Sequence, residues 1–250
     1  MEFERARAAA ARWRQVEATG STNADLVAAV AGDAALPHLT VLLTRDQRAG
    51  RGRLDRVWQA PAGAALALSV VVRVPGLPPQ ARGWIPLAAG AAMAGAVRAQ
   101  LPGREVGLKW PNDVLVGGRK ICGILAEGTA DPAAVVIGSG VNTAMEPEDL
   151  PVPTATSFAA LGAVCDEDEL VADYLTRLDA LLAALVAAGD GIRSGVRTAV
   201  VDLCLTLGRE VTVSLPDGSA LTGAATDIDG DGRLVVAGRA VSAGDVVHVR

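Results

Sequence analysis

The sequence predicts an α+β fold, a mixed β-sheet flanked by helices, with a small all-β barrel or sandwich at its C-terminal end. Short β-branched runs, such as residues 39–44 and 134–141, alternate with longer segments whose apolar residues recur at helical spacing. Half of the 250 residues are hydrophobic, enough to bury a full core without metal or disulfide. After about Arg209 the pattern changes to short alternating runs separated by turn dipeptides. We therefore expect a main unit over residues 1–200 and a small β unit over 201–250.

A strand-like piece over 13–17 runs into Gly20-Ser21-Thr22-Asn23, after which Leu26, Val27 and Val30 mark a helix capped by Ser21 or Thr22. Residues 39–44 read as a buried strand that empties into the polar segment 45–56, where nothing can pack a core. Residues 65–73 form a further strand. The alanine-rich stretch 85–101 has so few polar positions that its helix is expected to be largely buried. Strands over 106–110, 114–116 and 120–127 follow, the last two joined by the hairpin turn Gly117-Gly118. Another strand over 134–141 closes at Asn142, and the Pro-rich stretch 146–153 is a loop. Leu170, Tyr174, Leu178, Leu181 and Leu185 mark one face of a helix over 170–188. The terminal runs 211–215, 220–226, 234–237 and 245–250 are punctuated by Asp217-Gly218 and Asp229-Gly230.

Composition excludes several functions. A formal charge of −5 argues against a general nucleic-acid surface, which needs clustered Lys and Arg. The N-terminus is charged where a signal peptide is apolar, and no apolar run approaches the ~18 residues of a membrane span. Cys122, Cys165 and Cys204 are odd in number and lack C-x-x-C spacing, the pattern of reduced intracellular thiols. A soluble cytoplasmic protein is expected. Only His38 and His248 are present, little material for a histidine triad or metal site. Asp227 to Gly232 mimics a calcium loop, but position twelve is Gly238 rather than Glu, so a hairpin turn is the better reading.

The chemistry-bearing residues lie elsewhere. Gly50-Arg51-Gly52-Arg53 is a flexible cationic segment suited to a phosphate or carboxylate. Neighbouring guanidiniums repel, so the loop is expected to be mobile alone and to order over a bound anion. Lys109-Trp110-Pro111-Asn112-Asp113 places a cation and a carboxylate around a proline turn at a strand end, and Lys120 opens an apolar strand. A lysine entering a buried strand is costly unless its ammonium meets an anion.

Taken with Ser21-Thr22-Asn23, Gln47, Arg119-Lys120-Ile121-Cys122-Gly123-Ile124-Leu125 and Gly138-Ser139-Gly140-Val141-Asn142, these motifs resemble in order and spacing the biotin protein ligases. The dense part of the resemblance spans residues 13–142. It implies a sheet-and-helix fold like that of biotin ligases and class II aminoacyl-tRNA synthetases, with an SH3-like barrel at the end. It also implies an ATP-dependent enzyme that forms biotinyl-5′-AMP and pyrophosphate, then transfers biotin to a lysine of a biotin carboxyl carrier protein. By that resemblance Ser21, Thr22 and Asn23 would bind the ureido head of biotin, with Gln47 and the Arg51, Gly52 and Arg53 segment closing over the ligand. Lys120 would contact the carboxylate and then the acyl-phosphate. Arg51, Arg53, Lys109, Asn112, Asn142 and Phe158 would serve the nucleotide, Phe158 as a lid over the adenine. Asp113 would help place Mg²⁺ or the incoming amine. A lipoate or octanoate ligase or transferase of the same superfamily is the alternative. With a dozen residues ahead of Trp13 and no room there for a winged helix, direct DNA binding is not expected. No G-x-x-x-x-G-K-[ST] is present, so ATP binding is not of the P-loop kind.

Overall fold

The computed structural model describes residues 3–54, 56–215, 218–242 and 244–249. Asp55, Asp217 and Arg250, on which parts of the loop, turn and last-strand expectations fall, lie outside the described residues. In chain order the elements begin with α1 (Glu4–Ala9), β1 (Arg12–Gln15), α2 (Thr22–Gly32), β2 (Thr40–Thr44), β3 (Gly50–Arg51), β4 (Val57–Trp58) and β5 (Leu66–Arg73). Then come α3 (Trp84–Gln100), β6 (Val106–Lys109), β7 (Asp113–Val116), β8 (Arg119–Gly128), β9 (Ala134–Val141), α4 (Glu167–Ala188) and α5 (Val196–Val201). The chain ends with β10 (Glu210–Ser214), β11 (Ala220–Ile228), β12 (Leu234–Val236), β13 (Arg239–Val241) and β14 (Asp245–His248).

Seven strands make one mixed sheet in the order β1-β2-β5-β9-β8-β7-β6, with β1 parallel to β2 and the remaining pairs antiparallel. Both faces are covered, so its central strands are apolar on both sides. Val41, Leu43, Val70, Val72 and Ile137 face the main core with α3 and α4. Alternate residues Leu42, Val71 and Val136 face Leu26 and Val30 of α2. Helix α3 is buried over most of its length, as its composition requires. Among the described residues no helix is long and apolar enough to cross a membrane.

Several elements were invisible to periodicity. Helix α1 has six residues and a single buried one, Ala6, too short to display a face. The β3–β4 ribbon pairs two residues with two, one strand inside the segment expected to pack nothing and the other just past it. Strand β13 shows no apolar run, since Arg239 and Ala240 are exposed. The first strand begins at Arg12, one residue before the expected start.

The last five strands form an antiparallel sheet, β13-β12-β11-β10-β14, held against the large unit by two tryptophans. The indole of Trp84 donates to Gly230 O at 2.8 Å, and that of Trp110 to Gly232 O at 3.1 Å. Both rings are buried. The edge of β6 is also covered, because Leu108 N donates to Leu203 O and Leu205 N to Leu108 O. Replacing Trp84 with Phe removes the bond to the Gly230 carbonyl, about 0.5–1.5 kcal/mol, and leaves part of the buried indole's volume unfilled, which adds to the cost. The midpoint of urea unfolding should fall accordingly; an unchanged midpoint would remove the indole as a docking peg.

Candidate active site

Strand alternation puts two cross-strand rows on the α2 face of the sheet. Ser69, Gly138 and Leu125 lie in one, and Ala67, Gly140, Gly123 and Asp113 in the next. The glycines make these rows a shelf. A Cβ at Gly138 would stand 2.4 Å from Asn23 Oδ1, one at Gly140 2.5 Å from Trp58 Cε2, and one at Gly123 3.0 Å from Lys120 Nζ. Side chains from the helix, the loop and the neighbouring strand thus lie flat where side chains would otherwise project.

At one end of the resulting cavity stand Ser21, Thr22, Asn23 and Gln47. Ser21 is the N-cap of α2 and accepts from Ala24 N. Gln47 Oε1 accepts from Thr22 N at 2.9 Å and from Thr22 Oγ1 at 3.0 Å. Asn23, almost fully buried, donates through Nδ2 to Leu125 O at 3.2 Å and Glu127 Oε2 at 2.7 Å. Its Oδ1 accepts from the buried Ser69 hydroxyl at 2.5 Å.

The other end is charged. Lys120 Nζ sits 2.6 Å from the shielded Asp113 Oδ1, a close ion pair. Arg53 Nη1 donates to Asn112 Oδ1 at 3.1 Å and to Gly244 O at 3.4 Å. Arg56 pairs with Asp245 of β14. Asn112 also donates to Ile124 O, and it follows the cis Trp110–Pro111 bond. Burial pushes the Lys109 amine below the ordinary lysine range, with Asp113 opposing and Lys120 and Arg56 reinforcing the shift. Arg53 is lowered in the same way, by burial first and by Arg56, against the pull of Asp113. In both groups the loss of hydration on burial outweighs the pull of the Asp113 carboxylate. Among the described residues no group of three His, Cys, Asp or Glu side chains stands together to hold a metal ion.

Arg51 and Gly52 form the roof between these ends. Arg51 does not reach toward the charged end. Its Nη2 is held by both Glu127 oxygens, at 2.9 and 3.1 Å. Three of the residues singled out from sequence do not line the cavity. Lys109 is half-buried outside the lining, its charge coupled to Asp113, Lys120 and Arg56. Asn142 is buried as a stitch, its backbone N donating to Ile121 O and its Nδ2 to Thr156 O. Phe158 is a core residue with no exposed surface, packed in the main cluster, where its ring cannot cover an adenine.

Five contributors escaped the sequence reading: Ser69, Trp58, Glu127, Arg56 and Asp245. Ser69 and Glu127 were hidden in strands read as apolar, though a serine in the middle of Leu66–Arg73 and a glutamate ending β8 are the polar exceptions there. Trp58 and Arg56 stood just past the glycine-arginine segment.

His248, set aside on sequence, stands at the seam beside Lys109. Its Nε2 lies 3.3 Å from the Oγ1 of fully buried Thr206, which in turn accepts from Trp110 N. Burial, then Lys109 and Arg209, lowers its pKa to about 4. The unfolded chain binds this proton below about pH 6.5, and the folded chain refuses it until about pH 4. Stability is therefore complete above the first value and falls as pH drops through the window between them. The loss of urea stability between pH 7 and 5 should be smaller in His248→Gln than in the unaltered protein. Equal losses would show that this imidazole is free to protonate.

Residues 19–142 match the model of the Biotin/lipoate A/B protein ligase family, and residues 206–249 that of the Biotin protein ligase C terminal domain. The biotin--[acetyl-CoA-carboxylase] ligase of Mycobacterium tuberculosis is 45% identical over 248 residues, covering 95% of this chain and 90% of that protein. The bifunctional ligase/repressor BirA of Bacillus subtilis is 36% identical over 132 residues, 50% of this chain and 40% of its own length. The structure is also similar to that of the biotin protein ligase from Aquifex aeolicus in complex with biotin and ATP. There the TM-score is 0.76 at 21% identity, over 96% of this chain and 99% of that one.

Proposed function

This chain belongs to the biotin protein ligase family, and from that membership we propose that its cavity activates biotin with ATP and passes the acyl group to a lysine of a biotin carboxyl carrier protein. The observation that carries the proposal is convergence: residues spread from Ser21 to Lys120 line one cavity, neutral at one end and cationic at the other. In the first half-reaction a biotin carboxylate oxygen attacks the α-phosphorus of ATP, the bond to the bridging oxygen breaks, and pyrophosphate leaves. In the second a lysine amine attacks the acyl carbon and AMP departs with the bonding electrons. Neither step needs an enzyme nucleophile. Cys122, the thiol nearest the charged end, is fully buried and pushed up by that burial, far from a reactive thiolate.

Catalysis in this reading is positioning and charge compensation. Ser21, Thr22, Asn23 and Gln47 hold the ureido ring. Lys120 exchanges Asp113 for the biotin carboxylate, and Arg53 and Lys109 offset charge that builds on the phosphates. The loop carrying Arg51, Gly52 and Arg53 orders over the bound intermediate and excludes water. Asp113 would hold Mg²⁺ once the incoming carboxylate has drawn Lys120 away from its Oδ1, since a released carboxylate suits an ion that takes few protein ligands and shares the phosphates. When bound, that ion would neutralise phosphate charge. We assign residues 1–200 to the substrates and 201–250 to the β unit that closes the charged end. The free thiols, Cys122, Cys165 and Cys204, support a cytoplasmic setting.

With MgATP the purified protein should release pyrophosphate when given biotin and not when given octanoate; the reverse result would move the assignment to lipoate or octanoate transfer. Arg53→Ala and Lys120→Ala should each slow adenylate formation by at least tenfold, since a charge-assisted contact contributes about 1.5–3 kcal/mol. Single-turnover kinetics unchanged in both variants would discard these residue roles.

A further inference from the structure

The neutral end of the cavity has a fixed polarity, and its origin lies outside the cavity. Asn23 Nδ2 meets Leu125 O and Glu127 Oε2, a backbone carbonyl and a carboxylate. Both are acceptors with nothing to donate. The carboxamide can therefore sit only one way round, NH₂ toward β8 and oxygen toward Ser69. Both amide hydrogens are thereby committed, while Oδ1 keeps a lone pair beyond the one that the Ser69 hydroxyl fills. Arg51 holds both Glu127 oxygens and so aims the carboxylate at the amide.

We propose that Glu127 is a positioning residue that fixes Asn23 as an acceptor, so that the head-group site selects acyl groups bearing N–H donors. This rests on biotin being the acyl substrate. A ureido ring carries two N–H groups, whereas an alkyl chain end or a dithiolane has none and would leave the Asn23 oxygen desolvated and unpaired. A site built to hydrogen-bond its ligand rejects an analogue lacking that group far more strongly than a greasy pocket rejects an extra methylene. Gly138 completes the device, because any side chain there would occupy the space of the Asn23 oxygen. Arg51 accordingly serves recognition through Glu127 instead of contacting phosphate.

Calorimetric binding to the full chain without ATP tests the assignment, using biotin and the two cyclic carbamates in which one ureido N–H is replaced by a ring oxygen. The swap is nearly isosteric and sets an acceptor against an acceptor. In the unaltered protein one carbamate should bind at least about a hundredfold more weakly than biotin. In Glu127→Gln that loss should shrink below about tenfold, because glutamine can donate to a turned Asn23 oxygen and only the more distant Leu125 carbonyl still opposes turning the NH₂ to the ring oxygen. A merely structural role for Glu127 would weaken all three ligands alike. Should Glu127→Gln not fold, Glu127→Met carries the same comparison. Equal carbamate losses in variant and unaltered protein, or carbamates binding like biotin in the unaltered protein, overturn the inference. Failure of the unaltered protein to bind biotin at all would overturn the proposed substrate, and this inference with it.

Discussion

Lys120 and Asp113 meet at 2.6 Å where β7 and β8 pair, and Arg53, Arg56 and Lys109 crowd the same corner. Two like charges about 4 Å apart cost roughly 4 kcal/mol at an effective dielectric of about 20, so this cluster needs carboxylates or incoming anions beside it. Asp113 and Asp245 are the protein's own counter-charges. A sheet can hold such a corner because its register fixes where the groups stand. Asp113 lies opposite Gly123, and Gly123 opposite Gly140, so the Lys120 stem crosses over bare backbone. Bulky residues at these positions would lift the lysine out of line with the carboxylate.

The C-terminal sheet is part of the same electrostatic arrangement. Gly244 O receives Arg53, and Asp245 receives Arg56, so two loop cations have their partners on β14. Without them Arg56 would lose its carboxylate and Arg53 would keep its Asn112 contact. The two indole bonds to the Gly230 and Gly232 carbonyls keep the strand in place from the far side. An appendage that looks dispensable from its size thus contributes Asp245 to the cavity lining.

Much of this was legible in the chain. The cap at Ser21, the Gly117-Gly118 turn, the buried α3 and the mixed sheet all follow from local pattern, because each depends on neighbours a few residues apart. The convergence of the glycine-arginine loop with Lys120 and Asp113 was readable only as a resemblance between ordered motifs. What escaped depends on long-range pairing. Asn23 and Glu127 are 104 positions apart and Arg53 and Gly244 are 191 apart, separations at which spacing carries no signal. Phe158 fails for the opposite reason. An aromatic beside polar residues looks like a lid, yet tertiary packing claims it for the core.

The two ends of the cavity solve different problems with different kinds of polar contact. At the neutral end the Asn23 amide hydrogens are both committed while its oxygen keeps room for one more donor, and each hydrogen bond limits how its neighbours can point. Such a network recognises because it cannot rearrange without leaving a buried group unpaired. At the charged end the partners are ion pairs and carbonyl contacts, with Lys120 Nζ pairing Asp113 Oδ1. A lysine can exchange one carboxylate for another at little net cost, because both states pair its charge. Rigid polarity where the ligand must be identified, and exchangeable charge where bonds must change, is the division that an acyl-adenylate reaction requires of a single pocket.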